Sequence, residues 1–336
     1  MLMVVFLVTT GCAPKTPMPK INAEYYPQCY TPFKQLHESQ VALQKRTIGY
    51  TAGGAAGGAA AGALLGFLRG GNWQSTLAGG LVGGLAGGMT GYTLAKIQDI
   101  KDQQKRMMAY QVSMRADLAN STDVEIAALQ SLRCYIQEFE QLQKNYAAKN
   151  ITKEEFAKRY AEIRTGITEI GKITSDSHIM LVQRDAEFRT ALQGEDGIGQ
   201  ALPTVEQRRT IREQKNQHGA KRKKDLKKNR KKSPKTEPAL ESSSLAMAEL
   251  KDELDQLQED AVAKKTQYSA QIQDSQPGSS NASTTRQPEP VSVQQVAATF
   301  NDYPDKVLSM EAVENQRKKT LEIMNDAAIQ SGIDMV

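Results

Sequence analysis

The chain has 336 residues, with 43 Lys+Arg against 38 Asp+Glu, three Cys, three His and one Trp. Only 6% of it is aromatic and 39% hydrophobic, too little apolar material for the two or three large cores that such a length allows. Extended helix, membrane segment and polar linker are therefore expected to take up much of it. The scattered His and Cys argue against a dedicated metal centre, and there is no Gly-x-Ser-x-Gly, His-Glu-x-x-His, Cys-x-x-Cys or Lys-bearing phosphate loop. The sequence thus predicts no enzyme and no cofactor.

Residues 1–11 read as a signal peptide, because the apolar run Leu2 to Val8 is far shorter than the ~20 residues of a spanning helix. Thr9-Thr10-Gly11-Cys12 follows. A small residue just before Cys, after an apolar run, resembles the lipobox of bacterial lipoproteins. The resemblance implies that Cys12 carries lipid and becomes the mature first residue. Residues 12–33 would then be anchor and tether, opening with the polar, Pro-rich Ala13-Pro14-Lys15-Thr16-Pro17. Ala13 in place of Asp implies, by the same resemblance, the outer membrane with the chain facing the periplasm, the inner membrane being the alternative. Each buried CH₂ of the anchor contributes ~0.8 kcal/mol, so two or three acyl chains hold a protein on a bilayer.

Residues 34–107 hold the most specific pattern. Gly54, Gly58, Gly62 and Gly66 recur every four residues in a first uncharged arm, Ile48 to Leu68, and Gly79, Gly83, Gly87 and Gly91 in a second, Leu77 to Ala95. Each arm, as a helix at about 1.5 Å per residue, spans ~30 Å, the thickness of a hydrocarbon core. In water so many glycines oppose a helix; in lipid the unsatisfied backbone enforces one. Four-residue spacing puts each glycine row on one face, where helices approach closely. The eight-residue connection contains Trp73, suited to a membrane interface. The segment resembles the glycine-zipper two-transmembrane domain of small bacterial envelope lipoproteins. Such a glycine face is self-complementary, so a homo-oligomer stands beside an intramolecular hairpin, and an envelope-complex subunit is the other expected partner state. The likeness implies an envelope location and a structural or barrier-related role.

Residues 108–193 predict an antiparallel helical stalk. One helix is expected to start near Thr122, capped by Ser121-Thr122-Asp123, with Leu129, Leu132, Ile136, Phe139 and Tyr146 as its seam. After Lys149-Asn150-Ile151, Thr152 and Glu155 form a capping box, and the next helix carries Phe156, Tyr160, Ile163, Ile167 and Ile170. Cys29 and Cys134 can bridge in an oxidising compartment. Cys134 sits on the outer face of its seam, however, so an intermolecular bond or a free thiol stays open.

Residues 194–244 read as a basic, disordered linker. Residues 208–235 hold 14 Lys+Arg and 2 Asp+Glu, leaving the rest of the chain net acidic. Lys221, Arg222, Lys223, Lys224, Lys227, Lys228, Arg230, Lys231 and Lys232 would contact polyanions through counterion release. No aromatic residue interleaves them, so no specific nucleic acid is indicated. Within reach of an envelope protein the polyanions are membrane lipid, lipopolysaccharide or peptidoglycan. Residues 245–272 predict a short coiled-coil helix built on Leu250, Leu254, Leu257 and Ala261. Residues 273–290 predict a linker, and 291–336 two small helices, broken at Asn301-Asp302-Tyr303-Pro304, that suit docking on another subunit.

The expectation is a mainly α protein: a glycine-zipper transmembrane hairpin followed by an elongated helical, coiled-coil stalk and disordered linkers. Its expected role is that of a non-enzymatic, lipid-anchored scaffold or membrane-integrity factor. The alternative is an oligomeric pore or a secretion or conjugation channel subunit, against which stands the scarcity of polar residues in the arms.

Overall fold

The computed structural model describes residues 23–48, 97–98, 100–195, 202–214, 239–274 and 291–333. Among these residues there are six assigned helices and no strand: α1 (Pro27–Ile48), α2 (Gln103–Ala147), α3 (Lys153–Gln193), α4 (Ala239–Asp274), α5 (Val293–Phe300) and α6 (Asp302–Gln330). A further helical stretch covers 205–214. The mainly α expectation holds for these residues. None of the described helices is long and apolar enough to cross a membrane.

The expected hairpin is present as α2 and α3. Its seams face each other, with Leu129, Leu132, Ile136 and Phe139 buried against Phe156, Tyr160, Ile163, Ile167 and Ile170. The turn between them needs one left-handed residue, Lys149 at φ 59°. Thr152 then caps α3 by accepting the Glu155 N–H at 3.2 Å. The register stays constant from end to end: Arg106 meets Glu195, Asp117 meets Arg184, Tyr135 lies against Gly166, and the Phe139 and Tyr160 rings sit 5.2 Å apart.

Two expectations need correcting. First, α2 does not start near Thr122; it begins at Gln103 and runs 45 residues, about 68 Å at 1.5 Å per residue. Ser121 and Thr122 are mid-helix, and their hydroxyls donate back to the Leu118 carbonyl at 2.9 and 2.7 Å. Such back-bonding satisfies a short polar side chain without ending the helix.

Second, the hairpin is not a bare stalk. Residues 116–129 of α2 are buried on every side, because α1, α3, α4, α5 and α6 all pack on that helix. α1 runs antiparallel to α2: Cys29 is bonded to Cys134, and eleven positions later Gln40 reaches Asp176 on α3 at 3.3 Å. The last helix spends its apolar face on its own chain, burying Val307, Met310, Val313 and Met324. Pro304 does not break it, since it falls in the first turn of α6, where a missing N–H costs nothing.

The segment 194–244, expected as a linker, is helical over its described residues 205–214 and 239–244. Thr204 and Gln207 cap the 205–214 stretch reciprocally, at 2.8 and 3.2 Å, and Arg209 and Arg212 tie it to Glu311 and Asp305 of α6 at 2.9 and 3.3 Å. These two arginines belong by sequence to the basic run, yet they are committed to α6. α4 starts at Ala239, inside the expected linker.

Candidate functional site

Of the residues singled out by sequence, Cys12, the zipper glycines Gly54 to Gly66 and Gly79 to Gly91, and the basic series Lys221 to Lys232 lie outside the described residues. Cys29 and Cys134 lie within them and are joined, with Cα atoms 5.6 Å apart. The question left open by sequence is thus answered by the intramolecular bond. Cys29 is fully buried in the first turn of α1, so the bond fastens the start of α1 to the middle of the bundle. Glu138, one turn beyond Cys134, completes a trio of potential metal-ligand atoms within 4.8 Å, but its two sulfurs are already bonded to each other.

A site that sequence did not indicate surrounds the centre of α2. Asp117, Asp123 and Glu125 are almost completely buried. At 3.6 residues per turn, positions 123 and 125 lie about 240° and 80° around the helix from 117, so the three carboxylates point to three sides. Each is met by a cation from a different helix. Arg184 of α3 reaches Asp117 at 2.8 Å, Lys265 of α4 reaches Asp123 at 2.5 Å, and Lys306 of α6 pairs with Glu125.

Further donors complete the layer. The Tyr303 hydroxyl donates to Asp117 at 3.1 Å, the Ser309 hydroxyl donates to Glu125, and Lys265 also donates to the Ala119 carbonyl at 3.3 Å. The Arg184 guanidinium lies 4.6 Å over the Phe188 ring, whose other neighbour is Tyr303 at 5.3 Å. Burial pushes the Lys306 ammonium below its ordinary pKa, against the opposing pull of Glu125.

Removing one member of such a pair strands a buried charge, at about 3–5 kcal/mol, whereas replacing both by apolar groups is often neutral. The layer therefore contributes less to net stability than to specificity. It fixes which helix lies on which side of α2 and at what height, as a single polar position does in a coiled coil. Apolar clusters lie to either side of it, one around Leu132, Phe139 and Ile163 and one around Tyr110, Met114 and Phe188. The arrangement is chemically a lock: its charges are paired with one another and buried.

A shallow groove of about 450 Å³ lies between α2 and α4, lined by Arg133, Asp255, Gln258, Glu259, Val262 and Ala263. Arg133 and Asp255 pair across it at 2.7 Å. Comparison of the chain with protein-family models, curated proteins and solved structures finds no match.

Proposed function

We propose that the protein is a non-enzymatic, lipid-anchored envelope scaffold, held by an acylated Cys12 and by a glycine-zipper hairpin over residues 48–95, with the helical bundle on the periplasmic side. One topological observation carries the reading. α1 runs toward the amino-terminal end of α2, and Ile97 is buried at that same end beside Met107, Tyr110 and Leu192. The described residues on either side of 49–96, the end of α1 and Ile97, thus lie toward the same end of α2, which is compatible with an even number of membrane crossings between them. The Cys29–Cys134 bond adds weaker support, being of a kind that persists in oxidising compartments. The locked bundle, with its sealed charges, suits a load-bearing or spacing role.

The test is metabolic labelling with a clickable palmitate analogue, comparing the native chain with Cys12→Ser, together with fluorescence of Trp73, the single tryptophan of the chain. Label lost in the variant, and Trp73 emission quenched by bromine-bearing lipids, are the expected results. An unlabelled native chain with unquenched Trp73 would overturn the reading.

A further inference from the structure

Four side chains that could serve one cation gather where α1 starts against α2. Glu138 follows Cys134 by one helical turn, so both project from the same face of α2, and one Glu138 carboxylate oxygen and the sulfurs of Cys29 and Cys134 lie within 4.8 Å of one another. Tyr26 precedes Cys29 by one turn, and the Cys29 N–H donates to the Tyr26 carbonyl at 3.0 Å. The Tyr26 side chain is 5% exposed, yet its hydroxyl has no hydrogen-bond partner among the described residues. That hydroxyl lies within electrostatic range of Arg159, Glu138 and Glu162. A buried phenol left unpaired is costly, and this one calls for a polar group in the space it shares with Glu138.

Two thiolates and one carboxylate make a donor set that selects a soft or borderline divalent cation over Ca²⁺ and Mg²⁺. Three protein ligands leave the fourth corner of a tetrahedron to water. We propose that, when the Cys29–Cys134 bond is reduced, Cys29, Cys134 and Glu138 bind one divalent cation of the Zn²⁺ class, with the Tyr26 hydroxyl hydrogen-bonded to the water in the fourth position. The sulfurs then stand about 3.8 Å apart, as two ~2.3 Å Zn–S bonds at the tetrahedral angle require. Cα atoms 5.6 Å apart serve both geometries through side-chain rotation.

Reduction proceeds by exchange with a dithiol. Cys29 is buried and Cys134 half-buried, so the incoming thiolate attacks the Cys134 sulfur, the S–S bond breaks, and Cys29 leaves with the electron pair and takes up a proton. The second thiol of the reductant then displaces Cys134 and closes the reductant's own disulfide. Cation binding releases both thiol protons to solvent. The covalent bridge fastens α1 to α2 in oxidising surroundings; the cation fastens the same two points in reducing ones.

The experiment uses the full-length chain in detergent with Cys12→Ser, which leaves Cys29 and Cys134 as its only cysteines. The chain is reduced with dithiothreitol, freed of it without oxygen, and titrated with Co²⁺, whose thiolate charge-transfer absorbance reports sulfur ligation and whose visible bands report tetrahedral geometry. One Co²⁺ per reduced chain with both signatures is expected, displaced by Zn²⁺ but not by Ca²⁺ or Mg²⁺, and none on the oxidised chain. Tyr26→Phe should weaken binding about tenfold, the cost of losing a partner of a bound ligand, and Glu138→Ala by more, each keeping the thiolate band. The absence of a charge-transfer band, binding independent of reduction, or full affinity in Glu138→Ala would overturn the site. Full affinity in Tyr26→Phe would overturn the part given to the phenol. A reduced chain that loses helical circular dichroism and does not regain it with Zn²⁺ would overturn the claim that the cation replaces the bridge.

Discussion

Glu162, on α3, accepts the backbone N–H groups of Tyr25 and of Tyr26, the latter 136 positions earlier in the chain, and so caps the start of α1. α1 has no acidic residue in its own first turn, and the carboxylate that its free N–H groups and macrodipole call for comes from across the bundle. Glu162→Ala is expected to lose about 1–2 kcal/mol, the range of a lost cap, and to lower the melting temperature by about 2–4 °C per kcal/mol. Glu162→Gln should retain part of this, since its carbonyl oxygen still accepts. Calorimetry of the three proteins decides; equal losses in the two variants would mean that the negative charge, rather than the acceptor, matters.

The Glu125–Lys306 pair separates the two roles of a buried charge. Lys306→Met alone leaves Glu125 buried without its counter-charge, only the Ser309 hydroxyl still donating to it, and should cost about 3–5 kcal/mol, whereas Glu125→Leu with Lys306→Met should recover most of that loss. Urea unfolding of the two single variants and the double variant gives the coupling. A double variant as unstable as the sum of the singles would mean that the pair does not act as a unit.

Stability should fall on the alkaline side through tyrosine ionisation. Burial raises the phenol pKa values of Tyr26, Tyr135, Tyr160 and Tyr268, that of Tyr135 to about 12. In the unfolded chain phenols ionise near pH 10. The stability these four contribute is thus whole below about pH 10 and drains away as pH climbs through the folded values. Tyrosinate absorbance at 295 nm should rise together with loss of helical circular dichroism above that point. Absorbance rising first, with helix intact, would show these rings to be accessible.

Gly166 lets α3 approach α2. A Cβ there would collide with the Tyr135 ring, whereas at Gly194, which ends α3 in an ordinary right-handed conformation, the nearest atom is the Ala191 carbonyl oxygen at 3.8 Å. Gly166→Ala is expected to destabilise by about 1–3 kcal/mol through overpacking, and Gly194→Ala to be neutral or slightly stabilising. Thermal melts of the two variants supply the contrast; equal effects would show that the close contact yields freely.

The two seams of the hairpin and the cap at Thr152 were legible because each is a local pattern of a few residues. Ser121-Thr122-Asp123 misled for the same reason. The triplet is a good helix start, and what overrules it, Lys265 opposite Asp123, lies 142 positions further on. The charged layer as a whole was hidden, because acids at 117, 123 and 125 look like a solvated face until the helix carrying them is enclosed. The capping box at Thr204 and Gln207 did carry a local signal, masked by the basic residues that follow it. The Cys29–Cys134 bond was one of several open pairings, and only the antiparallel run of α1 along α2 selects it.

The order in which the lock closes follows from where its keys lie along the chain. Asp117 finds Arg184 within its own hairpin, but Asp123 waits for Lys265 and Glu125 for Lys306. A ribosome or a translocation pore delivering the chain from its amino terminus thus presents a hairpin with two bare acids long before their partners emerge. Completion of the interior waits for α4 and then α6, a timing that keeps the hairpin loose while it is being threaded and firm once those helices have followed it.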